Sequence, residues 1–182
     1  AKNMKSYIEA IDKTRPITVG DNNPNGLQNA NTQEFRNKVS TVLAKNGEGL
    51  AGANYSMGSM AGIHKTHPDW KIIATESASP SNSRGIYNTL SQYNKTGDYQ
   101  CTAYDTNAVS WGNTARESWW YTIKDDFVSG EFIWTGFDYI GEPTPWNGTG
   151  TGSVSGDKLA VPNSSYFGVI DTAGFEKDSF YF

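Results

Sequence analysis

The sequence predicts an α/β fold with parallel strands, and three observations carry that prediction. Short apolar or β-branched runs alternate with amphipathic helical runs along the chain, the order that parallel crossovers produce. The run 70–75 (Trp-Lys-Ile-Ile-Ala-Thr) is nearly continuously apolar, as a strand buried on both faces would be. Each predicted strand also hands over to polar or aromatic residues at its C-terminal end, where parallel barrels collect their functional groups. Four strand–helix units match half of a (β/α)8 barrel or one doubly wound sheet, and no internal repeat competes with either.

In order, Met4, Tyr7, Ile8 and Ile11 fall at helical spacing, and Pro16 should stop that helix near Arg15. Ile17, Thr18 and Val19 then read as a short strand, closed by Gly20 and the Asn-rich turn 21–26. Phe35, Val39, Val42 and Leu43 share one face of a second helix, which Asn31 and Glu34 could cap. Residues 49–55 form a glycine-weakened strand, 57–66 are ambiguous, and 70–75 are the strongest strand. A polar loop follows to about residue 107. Thr114 and Glu117 then make a capping box before Trp119, Ile123 and Phe127, which share a helix face. Residues 131–138 are the next strand, 141–165 a loop rich in Gly, Pro, Ser and Thr, and 166–170 a last short strand.

The composition excludes several functions. The 182 residues carry 15 basic and 19 acidic side chains, a net charge of −4. That length suits one domain or part of a larger one. A weakly acidic chain without a Lys/Arg run argues against a nucleic-acid partner. No stretch nears the roughly 20 apolar residues that span a bilayer, so no membrane association is expected. The single cysteine, Cys101, excludes an internal disulfide framework and a Cys-rich zinc site. His64 and His67 lack a third ligand and read as structural or solvent-exposed, so neither metal nor cofactor is expected in this chain. Aromatic residues are the unusual component: five of the six tryptophans lie between Trp111 and Trp146.

The chemistry is sought at the strand ends, where Asp21, Asn54 with Tyr55, Glu76, and Asp138 with Glu142 fall in turn. Glu76 directly follows the most apolar strand, where a carboxylate is costly to bury unless partnered. It is either a functional acid or a capping or salt-bridged Glu just beyond a strand. Trp134 is either core or a platform under the apolar face of a sugar ring. Tyr55 is either a buried tyrosine or a donor to a catalytic carboxylate, and Asp21 either a sugar contact or the closure of its own turn.

These residues stand in a recognisable setting. Glu131-Phe-Ile-Trp-Thr-Gly-Phe-Asp-Tyr-Ile-Gly-Glu-Pro-Thr-Pro-Trp146 resembles the eighth-strand segment of glycoside hydrolase family 2 β-galactosidases, and so does Ser165-Tyr-Phe-Gly-Val-Ile-Asp-Thr-Ala-Gly-Phe-Glu-Lys-Asp178. The run 67–77, ending Ala74-Thr75-Glu76-Ser77, resembles the seventh strand. Arg15-Pro-Ile-Thr-Val-Gly-Asp21 resembles the fifth, and Gly52-Ala-Asn-Tyr55 the sixth.

The resemblance implies a partial (β/α)8 barrel over 1–182, roughly strands five to eight, acting on a β-galactoside. It implies Glu76 as the nucleophile of a retaining double displacement and Tyr55 as its hydrogen-bonding neighbour. It further implies Asp21, Trp134, Glu142 and Trp146 as substrate contacts. In that family the acid/base is a Glu directly after an Asn, a pair this sequence does not contain. The chain is therefore expected to be inactive alone. A half barrel is also expected to self-associate through its exposed apolar surface. Two alternatives stay open: a carbohydrate-binding module using Trp134, Trp146 and Tyr55 without catalysis, or a β-glucuronidase or β-mannosidase of the same family. Glucuronidases of the family use an Asn-x-Lys motif late in the barrel, and none follows Gly130.

Overall fold

A computed structural model describes residues 2–21, 50–88, 99–142 and 164–182. The predicted helix around Phe35, its cap at Asn31 and Glu34, the turn beyond Asp21 and the site candidate Trp146 lie outside these residues. Two compact units are defined, one of residues 1–77 and 120–132, the other of 78–119 and 133–182.

The first unit begins with α1 (Lys2–Ile11). This helix ends before the expected Arg15, because the Asp12 carboxylate accepts both the N–H (2.7 Å) and the hydroxyl (2.6 Å) of Thr14, a local alternative to helical bonding. The apolar stripe of this helix is exposed, with Ile11 at 89% and Tyr7 at 74%. Residues 17–19 form no ladder strand, a correction to the sequence reading. The segment is nonetheless extended beside β1 (Leu50–Asn54): the Ile17 carbonyl accepts the Leu50 N–H (3.4 Å) and the Asp21 carbonyl the Asn54 N–H (2.8 Å). Gly52 permits this approach, since a Cβ there would lie 2.2 Å from the Val19 carbonyl oxygen.

The ambiguous stretch is helical, a 3-10 turn Met57–Ser59 leading into α2 (Met60–Thr66). The strand predicted at 70–75 is β2 (Lys71–Ala78), the centre of a three-stranded parallel sheet of order β1-β2-β3. Ala51, Ala53, Ile72 and Ala74 are fully buried and pack with Met60 and Ile63. Small side chains on the strands let α2 approach closely. α3 (Ala115–Ile123) and β3 (Val128–Trp134) follow. Trp119 and Ile123, which share a face of α3, are exposed, while Tyr121 and Phe127 pack on the core. Phe127 lies beyond the helix end, so a helical period cannot place it. β3 also starts three residues earlier than predicted and stops before Thr135.

In the second unit the expected strand 166–170 forms only isolated bridges, among them Ile170 with Phe137. Its backbone still pairs with the segment after β3, Val169 N–H to Thr135 O (3.1 Å) and Asp138 N–H to Ile170 O (2.9 Å). A Cβ on Gly168 would lie 2.0 Å from the Asp138 nitrogen. The capping box forms as predicted, Thr114 N–H to Glu117 (3.1 Å) and Glu117 N–H to Thr114 Oγ1 (3.3 Å). Asp105, which the sequence did not flag, accepts the next two N–H groups, of Ala115 and Arg116, both at 2.9 Å. Its charge also complements the helix N-terminus. Asp105→Ala is expected to cost about 1–2 kcal/mol, read as a lower urea midpoint with unchanged slope.

Candidate active site

Glu76 sits at the end of β2, just beyond the buried Ala74, and is partly accessible. The β1–β2 register runs regularly to Ala53 opposite Ala74, then jumps so that Asn54 pairs with Glu76. Thr75 is thus an extra residue, a bulge that re-aims the side chains around it. Both carboxylate oxygens of Glu76 are held. The Tyr55 hydroxyl donates to Oε1 at 2.7 Å and the Asn54 amide to Oε2 at 3.0 Å. The Tyr55 N–H also donates to the Glu76 carbonyl (2.8 Å).

Tyr55 takes a left-handed backbone, φ +49°, a conformation uncommon for a bulky side chain and concentrated at functional sites. Asp21 is carried to this strand end by its carbonyl bond to the Asn54 N–H. Behind Glu76, the fully buried Ser77 donates to the Glu131 carboxylate at 2.5 Å, which ties the end of β2 to β3. The structure therefore brings Glu76, Tyr55 and Asp21 together. It gives Asn54, which the sequence reading placed at a strand end without a specific role, a contact with the carboxylate, and it adds Thr75.

The second unit holds the other described candidates. Trp134 is 38% exposed, so it is not core. Its ring meets Tyr139 edge-on, centroids 6.1 Å apart, and the Tyr139 hydroxyl donates to Glu142 (2.6 Å). Asp138, also at a predicted strand end, is a structural anchor. It pairs with the buried Lys177 at 2.5 Å and accepts the Gly168 N–H at 2.7 Å. Lys177 donates further to the carbonyls of Asn82 (2.9 Å) and Tyr166 (3.3 Å). Burial pushes the Asp138 carboxyl up although Lys177 opposes it, and burial pushes the Lys177 ammonium down although Asp138 opposes it. The sequence reading gave Lys177 no role of its own, although it lies in the run 165–178 that resembles the family.

His64 stacks on Phe127 (4.1 Å, 5°) and His67 on Trp70 (3.8 Å, 7°), so both serve packing. Among the described residues no group of three or more His, Cys, Asp or Glu is placed to hold a metal ion, and no helix is long and apolar enough to cross a membrane. Cys101 is fully buried, and desolvation pushes its thiol up to about 12. Because the thiolate is the reactive form, Cys101 is expected to resist Ellman's reagent at pH 8 and to react once urea unfolds the chain.

Comparison with known proteins first defines a class: the chain is homologous to a segment of glycoside hydrolase family 2 proteins. In particular, it is 35% identical over 191 residues to beta-galactosidase BoGH2A of Bacteroides ovatus, an alignment covering 99% of this chain and 20% of that protein. The chain thus spans about one fifth of the length of that relative. A beta-glycosidase from Bacteroides vulgatus superposes with a TM-score of 0.64 at 24% identity, over 99% of this chain and 23% of that one. A beta-D-glucuronidase of Dictyoglomus thermophilum superposes with a TM-score of 0.56 at 17% identity, over 99% and 27%. These two likenesses are of fold. No family model matches the chain.

Proposed function

We propose that this chain supplies the nucleophile-bearing part of a retaining β-galactosidase, built as part of a (β/α)8 barrel. The observation that carries the proposal is the clamped carboxylate of Glu76, with a donor on each oxygen, at the C-terminal end of a buried parallel strand. Such a carboxylate is oriented for in-line attack. One oxygen bonds to the anomeric carbon as the glycosidic C–O bond breaks, giving a galactosyl ester on Glu76. Water then displaces the ester with a second inversion.

Galactose as the sugar is supported by the name and 35% identity of the Bacteroides ovatus protein. The name and 26% identity of a putative beta-glucuronidase of Formosa agariphila, of which the chain covers 17%, support glucuronide as the second reading. Asp21 is the candidate for sugar hydroxyls. In the second unit, Trp134 offers an exposed side chain and Glu142 a hydrogen-bonding carboxylate; Trp146 keeps the substrate-contact role its motif implies.

The acid/base is proposed to come from outside these 182 residues, because the sequence has no Asn-Glu pair. The exposed stripe of α1 supports the companion reading that a further protein surface covers it, either more of the barrel or a second copy.

The test is hydrolysis of p-nitrophenyl β-galactoside and p-nitrophenyl β-glucuronide by the chain, alone and mixed with a barrel segment carrying the Asn-Glu strand. Turnover of the galactoside in the mixture only is the expected result. Preference for the glucuronide would overturn the choice of sugar, and turnover by the chain alone would overturn the external acid/base.

A further inference from the structure

We infer that Asn54 and Thr75 are positioning residues for Glu76, acting as a two-step relay in which Thr75 holds the Asn54 amide and the amide holds the carboxylate. The inference rests on the reading of Glu76 as nucleophile. Four observations converge on the one amide. Asn54 Nδ2 lies 3.0 Å from Glu76 Oε2, and the Thr75 hydroxyl lies 2.7 Å from Asn54 Oδ1. The bulge places Asn54 opposite Glu76, with Thr75 as the extra residue. The Asn54 backbone is pinned by its N–H to the Asp21 carbonyl, 2.8 Å. Finally, Gly20 leaves room for the amide: a Cβ there would lie 2.8 Å from Asn54 Oδ1 and 3.0 Å from Nδ2.

Hydrogen-bond bookkeeping gives this set one consistent orientation. An ionised carboxylate only accepts, so the amide must present its NH2 to Glu76 and its oxygen to Thr75, which must then donate. Turning the amide over would set Oδ1 against Oε2, two acceptors face to face. Without the Thr75 hydroxyl, Oδ1 has no donor on that side and the amide is released to turn away. Tyr55 holds the other oxygen, Oε1. Loss of the Asn54 bond therefore leaves the carboxylate hinged on one donor, able to swing from its line of attack.

The experiment uses the chain itself and 2,4-dinitrophenyl 2-deoxy-2-fluoro-β-galactoside, whose leaving group departs without protonation and so needs no acid catalyst. The Glu76 oxygen bonds to the anomeric carbon as dinitrophenolate leaves with the bonding pair, and the fluorine slows hydrolysis of the ester. The limiting trapping rate and the half-saturating concentration are read separately, with the thermal midpoint of each variant.

Asn54→Ala is expected to slow the limiting rate roughly 10- to 100-fold, the worth of one hydrogen bond to a charged group. Half-saturation should stay within about twofold, because the sugar contacts are untouched. Thr75→Val, equal in shape, should slow it in the same direction, and Thr75→Ser, which keeps the hydroxyl, should restore it. An unchanged rate in Asn54→Ala, or Thr75→Ser behaving like Thr75→Val, would overturn the relay while leaving the nucleophile in place. A loss that tracks the thermal midpoint across all variants would likewise overturn it in favour of a purely structural role. If wild type takes no label, the nucleophile reading itself fails and the relay falls with it.

Discussion

Glu76→Ala, assayed in the mixture with the barrel segment that carries the Asn-Glu strand, is expected to lower dinitrophenolate release from 2,4-dinitrophenyl β-galactoside on the order of 10^4-fold, and azide is expected to restore it. The first number follows from the role proposed for the carboxylate: losing a covalent nucleophile would remove the step itself, and comparable deletions cost about that much. The second follows from geometry. Alanine leaves a carboxylate-sized space between the donors Asn54 and Tyr55, which stay where β1 and its bulge hold them. A small anion seated there attacks the anomeric carbon from the vacated side and inverts it once, so the product is α-galactosyl azide. Glu76→Gln keeps the shape, fills the space and should not be rescued. Rescue with the β-anomer as product would mean that the missing group lay on the opposite side of the sugar, as an acid/base does.

The second large effect concerns stability. Lys177→Met leaves the Asp138 carboxylate buried without its cation, and breaking one half of such a pair costs about 3–5 kcal/mol. The sign of the pH dependence follows from the two shifts. Asp138 has a raised folded-state pKa, so its contribution is complete below the ordinary value of 3.8 and is lost as pH rises through the raised value. Lys177 has a lowered one, so its contribution is complete above 10.5 and is lost as pH falls through the lowered value. Between those limits both groups are charged against their surroundings, and each tolerates this only because of the other.

Without Lys177, Asp138 can be accommodated only by taking a proton. The deficit of Lys177→Met should therefore be largest near pH 8 and shrink towards pH 5. Asp138→Asn combined with Lys177→Met should regain much of the loss at pH 8, since no buried charge remains. Urea denaturation at both pH values reads all three. A deficit that is the same at pH 5 and pH 8 would show that packing, not charge, is what Lys177 supplies.

How far the sequence foretold this depends on the range of the forces involved. β2, α1 and the capping box of α3 were legible, because a continuous apolar run, a 3.6-residue period and a Thr-x-x-Glu spacing are local signals. The placement of Glu76 and Tyr55 at strand ends was legible for a related reason: each directly follows a run that reads as a strand.

Asn54 stood in the same list of strand ends but gained its meaning only from the bulge. That register jump depends on the pairing of two strands about twenty residues apart, which no local pattern encodes. Lys177 and Asp138 lie further apart still, and their pairing is set by the backbone contacts of 164–171 with 135–140. Residues 17–19 are extended, as predicted, but form no ladder strand, because a β-branched triplet fixes backbone conformation without fixing its partners. The helix face shared by Trp119, Ile123 and Phe127 does not extend to Phe127, because α3 ends at Ile123 and the period was carried past the element that generates it.

The central claim is that Glu76 is the nucleophile, and its most direct test is to locate the trapped sugar. The chain is incubated with 2,4-dinitrophenyl 2-deoxy-2-fluoro-β-galactoside, digested with pepsin at low pH to preserve the ester, and sequenced by tandem mass spectrometry. One fluorogalactosyl group on Glu76, in the peptide containing Ile72-Ile73-Ala74-Thr75, is the expected result. A label on Asp21, Asp138 or Glu142, or no label while the chain remains folded, would contradict it.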